Sequence, residues 1–166
     1  MEKDLIVAHK EWFSDPEVAR YMFWNIHRNL DETREWMEYE LEMLDSDSWY
    51  RFVVCRNDPD GRDVQVGSVL LYYEEEISDW EIAYHFARKF WGNGYATEAV
   101  RGVLKFAVGI IHLKRVMARY ASTNVASGKV LAKSGFKIVA DIDYWSSNHT
   151  VKWPGACCAY YCDTQL

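Results

Sequence analysis

At 166 residues the chain is one domain by length and long enough to bury a core, and 49% hydrophobic with 27% charged residues excludes a disordered or fibrous protein. A formal net charge of −6 argues against nucleic acid as the main partner and suits an amine-bearing one. No apolar run is long enough to cross a bilayer and the first residues lack a signal-peptide pattern, so a cytoplasmic protein without a membrane partner is expected.

In chain order, Leu5, Ala8, His9 and Trp12 space as a short amphipathic helix, broken by Ser14-Asp15-Pro16. Pro16 suits the first turn of a second piece, with Asp15 as its cap, carrying Val18, Ala19, Tyr21 and Met22. After Trp24-Asn25-Ile26-His27, Asn29 and Glu32 stand at capping-box spacing ahead of a helix reaching Leu44. Its face includes Trp36, Met37, Glu40, Leu41 and Leu44.

Tyr50, Phe52 and Val54 alternate with Arg51, Val53 and Cys55, the period of a strand. Asn57-Asp58-Pro59-Asp60-Gly61 is dense turn chemistry, so residues 64–73 read as the return strand of a hairpin. Gly67 marks a bulge or a close backbone approach within it. Glu74-Glu75-Glu76 and Asp79 form an acidic connection, either a solvated turn or, beside an acceptor site, an attractor for a protonated amine. A third strand follows, with Trp80, Ile82, Tyr84 and Phe86 on one face and Glu81, Ala83 and His85 on the other.

Next stands Trp91-Gly92-Asn93-Gly94-Tyr95-Ala96-Thr97-Glu98-Ala99. Gly92 and Gly94 let the backbone turn sharply and approach a ligand where a Cβ would clash. Ala96, Ala99, Val100, Val103, Leu104, Ala107 and Ile111 then make one helical apolar face. A glycine turn opening into a helix leaves backbone N–H groups unpaired at the positive end of the helix dipole, which suits a pyrophosphate. The same residues also serve as a plain strand-to-helix turn. A dinucleotide fingerprint requires a third glycine where Thr97 stands, and a P-loop requires Gly-Lys-Ser/Thr where Gly94-Tyr95-Ala96 stands. An acyl-CoA loop remains.

Beyond Lys114, Val116, Ala118 and Tyr120 alternate with Met117, Arg119 and Ala121, a strand parallel to the third by the crossover rule. A short helix over 124–134 is stopped by Gly135, and 138–144 and 156–161 read as closing strands around a substrate-side loop over 145–154. Cys55, Cys157, Cys158 and Cys162 lack zinc-like spacing with histidines, so no metal is expected; the last three read as small hydrophobes in the final strand.

The string Glu81-Ile82-Ala83-Tyr84, taken with residues 91 to 99, resembles the GCN5-related N-acetyltransferase (GNAT) family, and most the branch acetylating ribosomal-protein N-termini, such as N-terminal alanine. That family's loop is written Gln/Arg-x-x-Gly-x-Gly/Ala; Gly94 and Ala96 fit it, and Trp91 replaces the polar first residue. Asn124-x-Ala126-Ser127, followed by Lys133-Ser134-Gly135-Phe136, resembles the same pattern. The resemblance, over about 14–161, implies an α/β fold: a GNAT-type mixed, mostly antiparallel twisted sheet with helices on both faces, forming one acetyltransferase domain over 1–166.

It further implies acetyl-CoA as cosubstrate, its pantetheine arm lying where the two parallel strands splay, and direct transfer of the acetyl group to a primary amine. Cofactor contacts are then expected from Phe86, Ala87, Trp91, Gly92, Asn93, Gly94, Tyr95, Ala96, Thr97, Asn124 and Ser127, with a backbone N–H near Phe86 serving the oxyanion. Glu81-Ile82 resembles the Glu-Ile of the histone-acetylating branch, so Glu81 is the expected general base and His85 its substitute; the alternative for Glu81 is a pair with Arg119. Many members carry a tyrosine before Lys-x-Gly-Phe that protonates the thiolate. Leu131 stands there, and Ser127 is the nearest replacement.

Trp24, Asn25 and His27 fall in the region that walls the family's acceptor cleft and are expected substrate contacts, or else a loop that packs a tryptophan. The family's first edge strand is expected to be missing, through a shortened member or a start inside a longer product. The acceptor stays open among ribosomal-protein N-termini, amino acids, polyamines and antibiotics, for a monomer or homodimer. A CoA-binding module that has lost catalysis is the alternative function.

Overall fold

The computed structural model describes residues 2–58, 60–145 and 150–162. The alternating runs pair into one six-stranded sheet, ordered β1-β2-β3-β4-β6-β5. The strands are β1 Trp49–Asn57, β2 Asp63–Glu74, β3 Asp79–Phe86, β4 Arg115–Ala121, β5 Lys137–Trp145 and β6 Lys152–Tyr161. Every neighbouring pair is antiparallel except β3 with β4. A parallel pair needs a crossover, and helix α4, Tyr95–Gly109, supplies it. The fold is therefore the mixed, mostly antiparallel α/β arrangement expected.

Alternation decides what each face of the sheet meets. Ile82 and Phe86 of β3 join Val69 and Leu71 of β2 in a core closed by Val100, Val103, Leu104 and Ala107 of α4 and by Leu131 of α5, Val125–Lys133. The other face meets the N-terminal helices. Helix α1, Glu2–Ala8, runs into a wide π-type turn at His9–Phe13; α2, Pro16–Ala19, and α3, Leu30–Met43, follow. Ala8, Trp12, Phe13, Val18, Ala19 and Trp24 pack there around Ala87. Asp15 caps α2 through Glu17 N–H at 2.9 Å, and Asn29 caps α3 through Asp31 and Glu32 N–H at 2.9 and 3.0 Å. Among the described residues no strand precedes α1, β1 is a sheet edge, and no helix is long and apolar enough to cross a membrane.

Several expectations need correction. Helix α2 ends at Ala19, so Tyr21 and Met22 fall in the turn that follows, where Met22 N–H bonds Ala19 O at 3.0 Å. Leu41 of α3 and Leu44, its C-cap, are exposed, whereas polar Thr33 is fully buried. Thr33 Oγ1 lies 2.8 Å from His9 Nδ1 and 3.0 Å from His27 Nδ1, so two histidines satisfy the hydroxyl inside. The helix meets the sheet through Glu40, whose carboxylate accepts from Trp49 Nε1 and Arg51. The acidic connection is tied down as well, since Asp79 accepts from Arg115 Nε at 2.6 Å and Glu74 from Arg119 Nη2 at 3.0 Å. Strand β6 begins at Lys152, inside the expected loop; residues 146–149 of that loop, and Pro59 of the hairpin turn, lie outside the described residues.

Candidate active site

The site begins with a parting of strands. β3 and β4 share one register pair, Glu81 with Met117. Past it, Ala87 N–H donates to Val66 O at 2.9 Å. Backbone groups alternate sides along a strand, so the N–H and C=O of Phe86 face away from β2, into the parting. The Phe86 carbonyl accepts Trp91 Nε1 at 2.7 Å, which pins the glycine loop against the strand end. Trp91 thus has a structural use where the family writes a polar residue. Gly67 of β2 stands opposite Phe86, and a Cβ there would collide with His85 O and the Phe86 ring.

Gly92 and Gly94 have φ of +78° and +86°, a region where only glycine is unstrained. Gly94 is the N-cap of α4 and gives it no side-chain cap, so the first-turn N–H groups stay open. A cavity of about 370 Å³ runs from this helix end to the parted strands. It collects, from the expected cofactor residues, Phe86, Trp91, Gly92, Gly94, Tyr95, Ala96, Thr97, Asn124 and Ser127. Two expected residues turn elsewhere. Ala87 is fully buried with its N–H held by Val66, and the Asn93 amide donates back to Phe90 O and Trp91 O at 3.2 and 3.0 Å. Lys129 and Lys133 edge the cavity, and Arg101 and Lys105 lie along the α4 side. An uncapped helix N-terminus in a basic rim fits a diphosphate such as that of coenzyme A.

Of the expected catalytic side chains, Glu81 does not line the cavity. Its buried carboxylate takes Arg119 Nη2 at 2.7 Å and Nε at 2.9 Å, the pair that parallel neighbours allow. Burial raises its pKa against the pull of Arg119. His85 does line the cavity. Trp12, Phe13 and Trp24 surround its ring at centroid distances of 5.1, 5.9 and 4.9 Å, and the buried Nε2 has no hydrogen-bond partner among the described residues. Burial, helped by Arg51, pushes its pKa down to about 3, so the imidazole is neutral.

That shift fixes a stability prediction. The unfolded histidine takes a proton near its ordinary 6.5 while the folded one resists until about 3, so the unfolded chain binds more protons between those values. The contribution is complete above pH 6.5 and is lost as pH falls through the window, on the order of 4–5 kcal/mol in all. Urea melts should lose stability over this range, and His85→Gln should flatten the dependence. An unchanged slope in the variant assigns the loss to carboxylates instead.

Ser127 lines the cavity, and its Oγ lies 2.8 Å from Tyr84 Oη. Tyr84 Oη also donates to Ser127 O at 3.2 Å, and burial holds the phenol protonated well above its ordinary value. Sequence reasoning missed Tyr84 because it shares a face with Ile82 and Phe86 and reads as core. Leu131, at the family's tyrosine position, is buried in the core. Asn124 Oδ1 accepts Ser127 N–H at 3.2 Å, so it caps α5 while also facing the cavity.

A second, open groove of about 940 Å³ adjoins the first and shares Arg20 and Met22 with it. Trp24 and Asn25 line this groove; His27 does not. Its ring stacks on Phe13 at 4.7 Å and bonds Thr33, which turns it inward.

Comparison with known proteins gives a consistent result. Residues 1–137 match the acetyltransferase (GNAT) domain family. The uncharacterized N-acetyltransferase p20 of Bacillus licheniformis is 25% identical over 127 residues, covering 76% of this chain and 70% of its own length. The solved ribosomal-protein-S5-alanine acetyltransferase of Vibrio fischeri superposes with a TM-score of 0.78 at 16% identity, over 99% of this chain and 91% of its own. Spermidine N-acetyltransferase of Vibrio cholerae, solved with CoA and spermine, gives 0.75 at 17% identity, over 97% and 91%. At these identities the two structures share the fold.

Proposed function

Because this chain belongs to the acetyltransferase (GNAT) family, we propose that it is an enzyme moving the acetyl group of acetyl-CoA directly to a primary amine. The observation that carries the reading is the cavity joining the uncapped α4 N-terminus to the parted ends of β3 and β4. Acetyl-CoA supplies an activated acetyl thioester. The α4 N-terminus with its basic rim holds the diphosphate, and Asn124 faces the pantetheine arm.

At the reacting end, the Phe86 N–H directed into the parting stabilises charge building on the thioester oxygen. The amine nitrogen bonds the acetyl carbon as the carbon–sulfur bond breaks; nitrogen loses one proton and sulfur gains one. The acceptor attacks as its free base, because the neutral His85, enclosed by aromatic rings, is too weakly basic to take a proton from an ammonium. Ser127, backed by Tyr84, returns a proton to sulfur.

Glu81, already paired with Arg119, supports the sheet rather than the chemistry. Glu81→Gln should therefore keep turnover within about tenfold of wild type, below the 10²–10⁴ expected for a general base. A larger loss that partly recovers at high pH would return Glu81 to the role of base.

The reading is tested by adding acetyl-CoA and a panel of primary amines and following thiol release together with the mass of the amine. Release coupled to acetylation of at least one amine supports an enzyme. CoA binding with no release from any amine makes the chain a binding module, and displacement of CoA by ATP or NAD removes the assignment.

A further inference from the structure

We infer that the favoured acceptor is an amine that also bears a carboxylate, held by Arg20 and Arg28; this rests on the acetyltransferase reading above. Both arginines line the open groove, and Arg20 also lines the acyl-donor cavity, so it stands at their junction. Most other arginines of this acidic chain are matched with carboxylates, among them Arg51 with Glu40, Arg56 with Asp58, Arg115 with Asp79, and Arg119 with Glu74 and Glu81, while Arg101 donates to the Lys133 carbonyl. Among the described residues, Arg20 and Arg28 have no carboxylate within ion-pair distance. Arg20 lies over the Tyr21 ring at 5.3 Å instead.

The nearest acid in the groove does not answer them. Glu32 Oε2 accepts the backbone N–H of Arg28 at 2.8 Å, which engages the carboxylate at the start of α3 and leaves the guanidinium of Arg28 to the groove. Glu17 lines the donor cavity alongside Arg20 and is the counter-charge a cationic acceptor would use there. Two guanidiniums beside the apolar side chains of Met22, Trp24 and Trp153, in a groove that Asn25, Glu32 and Thr150 also line, favour a carboxylate, which they bind as a planar fork. A polyamine would instead bring its second ammonium against them.

An acceptor that carries both a carboxylate and an amine can span the junction that Arg20 lines, as an amino acid or an acidic residue at a peptide N-terminus would.

The test compares kcat/KM for acetyl-CoA-dependent thiol release among three acceptors matched in length: an amino acid, its amide and a diamine. Acidic and neutral dipeptides form a second arm that separates free amino acids from peptide N-termini. Wild type should prefer the carboxylate over the amide by about 10- to 100-fold, the range for one charge-assisted contact. Arg20→Gln and Arg28→Glu should each shrink or invert that preference, while a retained CoA-induced rise in Tm shows that the variants are folded. Equal or better use of the amide or diamine by wild type, or a preference that survives both substitutions, overturns the inference and leaves the acetyltransferase reading standing. Thiol release with no acceptor at all removes both.

Discussion

Gly94→Trp should abolish detectable coenzyme A binding while the protein still folds. Gly94 caps α4 at a φ of +86°, and a Cβ built on it meets nothing within 4 Å, so an indole there would extend into open space at the mouth of the donor cavity. It would stand over the uncapped N–H groups that are the proposed diphosphate seat. A side chain at this φ also carries backbone strain of about 1–2 kcal/mol, which needs separate measurement. Gly94→Ala supplies it, with the same strain and almost no bulk. Calorimetry should find binding lost in the tryptophan variant and kept within about tenfold in the alanine one, since 1.4 kcal/mol is a factor of ten. Unchanged affinity in a folded Gly94→Trp protein takes the loop out of the site.

The second large effect is expected at Tyr84. Tyr84→Phe removes one oxygen and leaves the ring in place, so it isolates the hydroxyl pair with Ser127. If that pair returns the proton to sulfur, kcat should fall by roughly 10²–10⁴ with KM for acetyl-CoA nearly unchanged. Ser127→Ala should lose a similar factor, and the double variant little more, as residues acting as one unit do. The leaving group separates chemistry from packing. With a small aryl thioester, whose thiolate departs without a proton, the difference between wild type and Tyr84→Phe should close. A difference that is the same for both donors gives Tyr84 a packing role only.

Much of this was legible in the residues alone, for local physical reasons. The period of two in residues 80–86 separates the faces of β3 because one of them must meet α4, and the structure keeps that division. Gly92 and Gly94 were legible because a left-handed turn before a helix needs glycine. The Glu81–Arg119 pair was available as an alternative, since parallel neighbours bring equivalent faces together.

What escaped is tertiary. Thr33 looks like a surface residue of α3 until His9, from the first helical segment, and His27, from the turn before α3, satisfy its hydroxyl. Tyr84 reads as core because alternation cannot reveal that β3 and β4 part beyond Glu81, opening a cavity beside it. Asn93 looks like a ligand donor, yet its amide satisfies carbonyls of its own loop. Arg20 and Arg28 carry no signal in sequence, because their lack of carboxylate partners is a fact of three-dimensional placement.

Direct transfer across the parted strands is the central claim, and initial-rate kinetics with both substrates varied tests it most directly. Direct attack requires donor and acceptor to be bound together, so double-reciprocal plots should intersect and the intact protein should carry no acetyl group after incubation with acetyl-CoA alone. Parallel lines, with an acetyl group retained on the protein, would contradict the account and place a covalent intermediate on the chain.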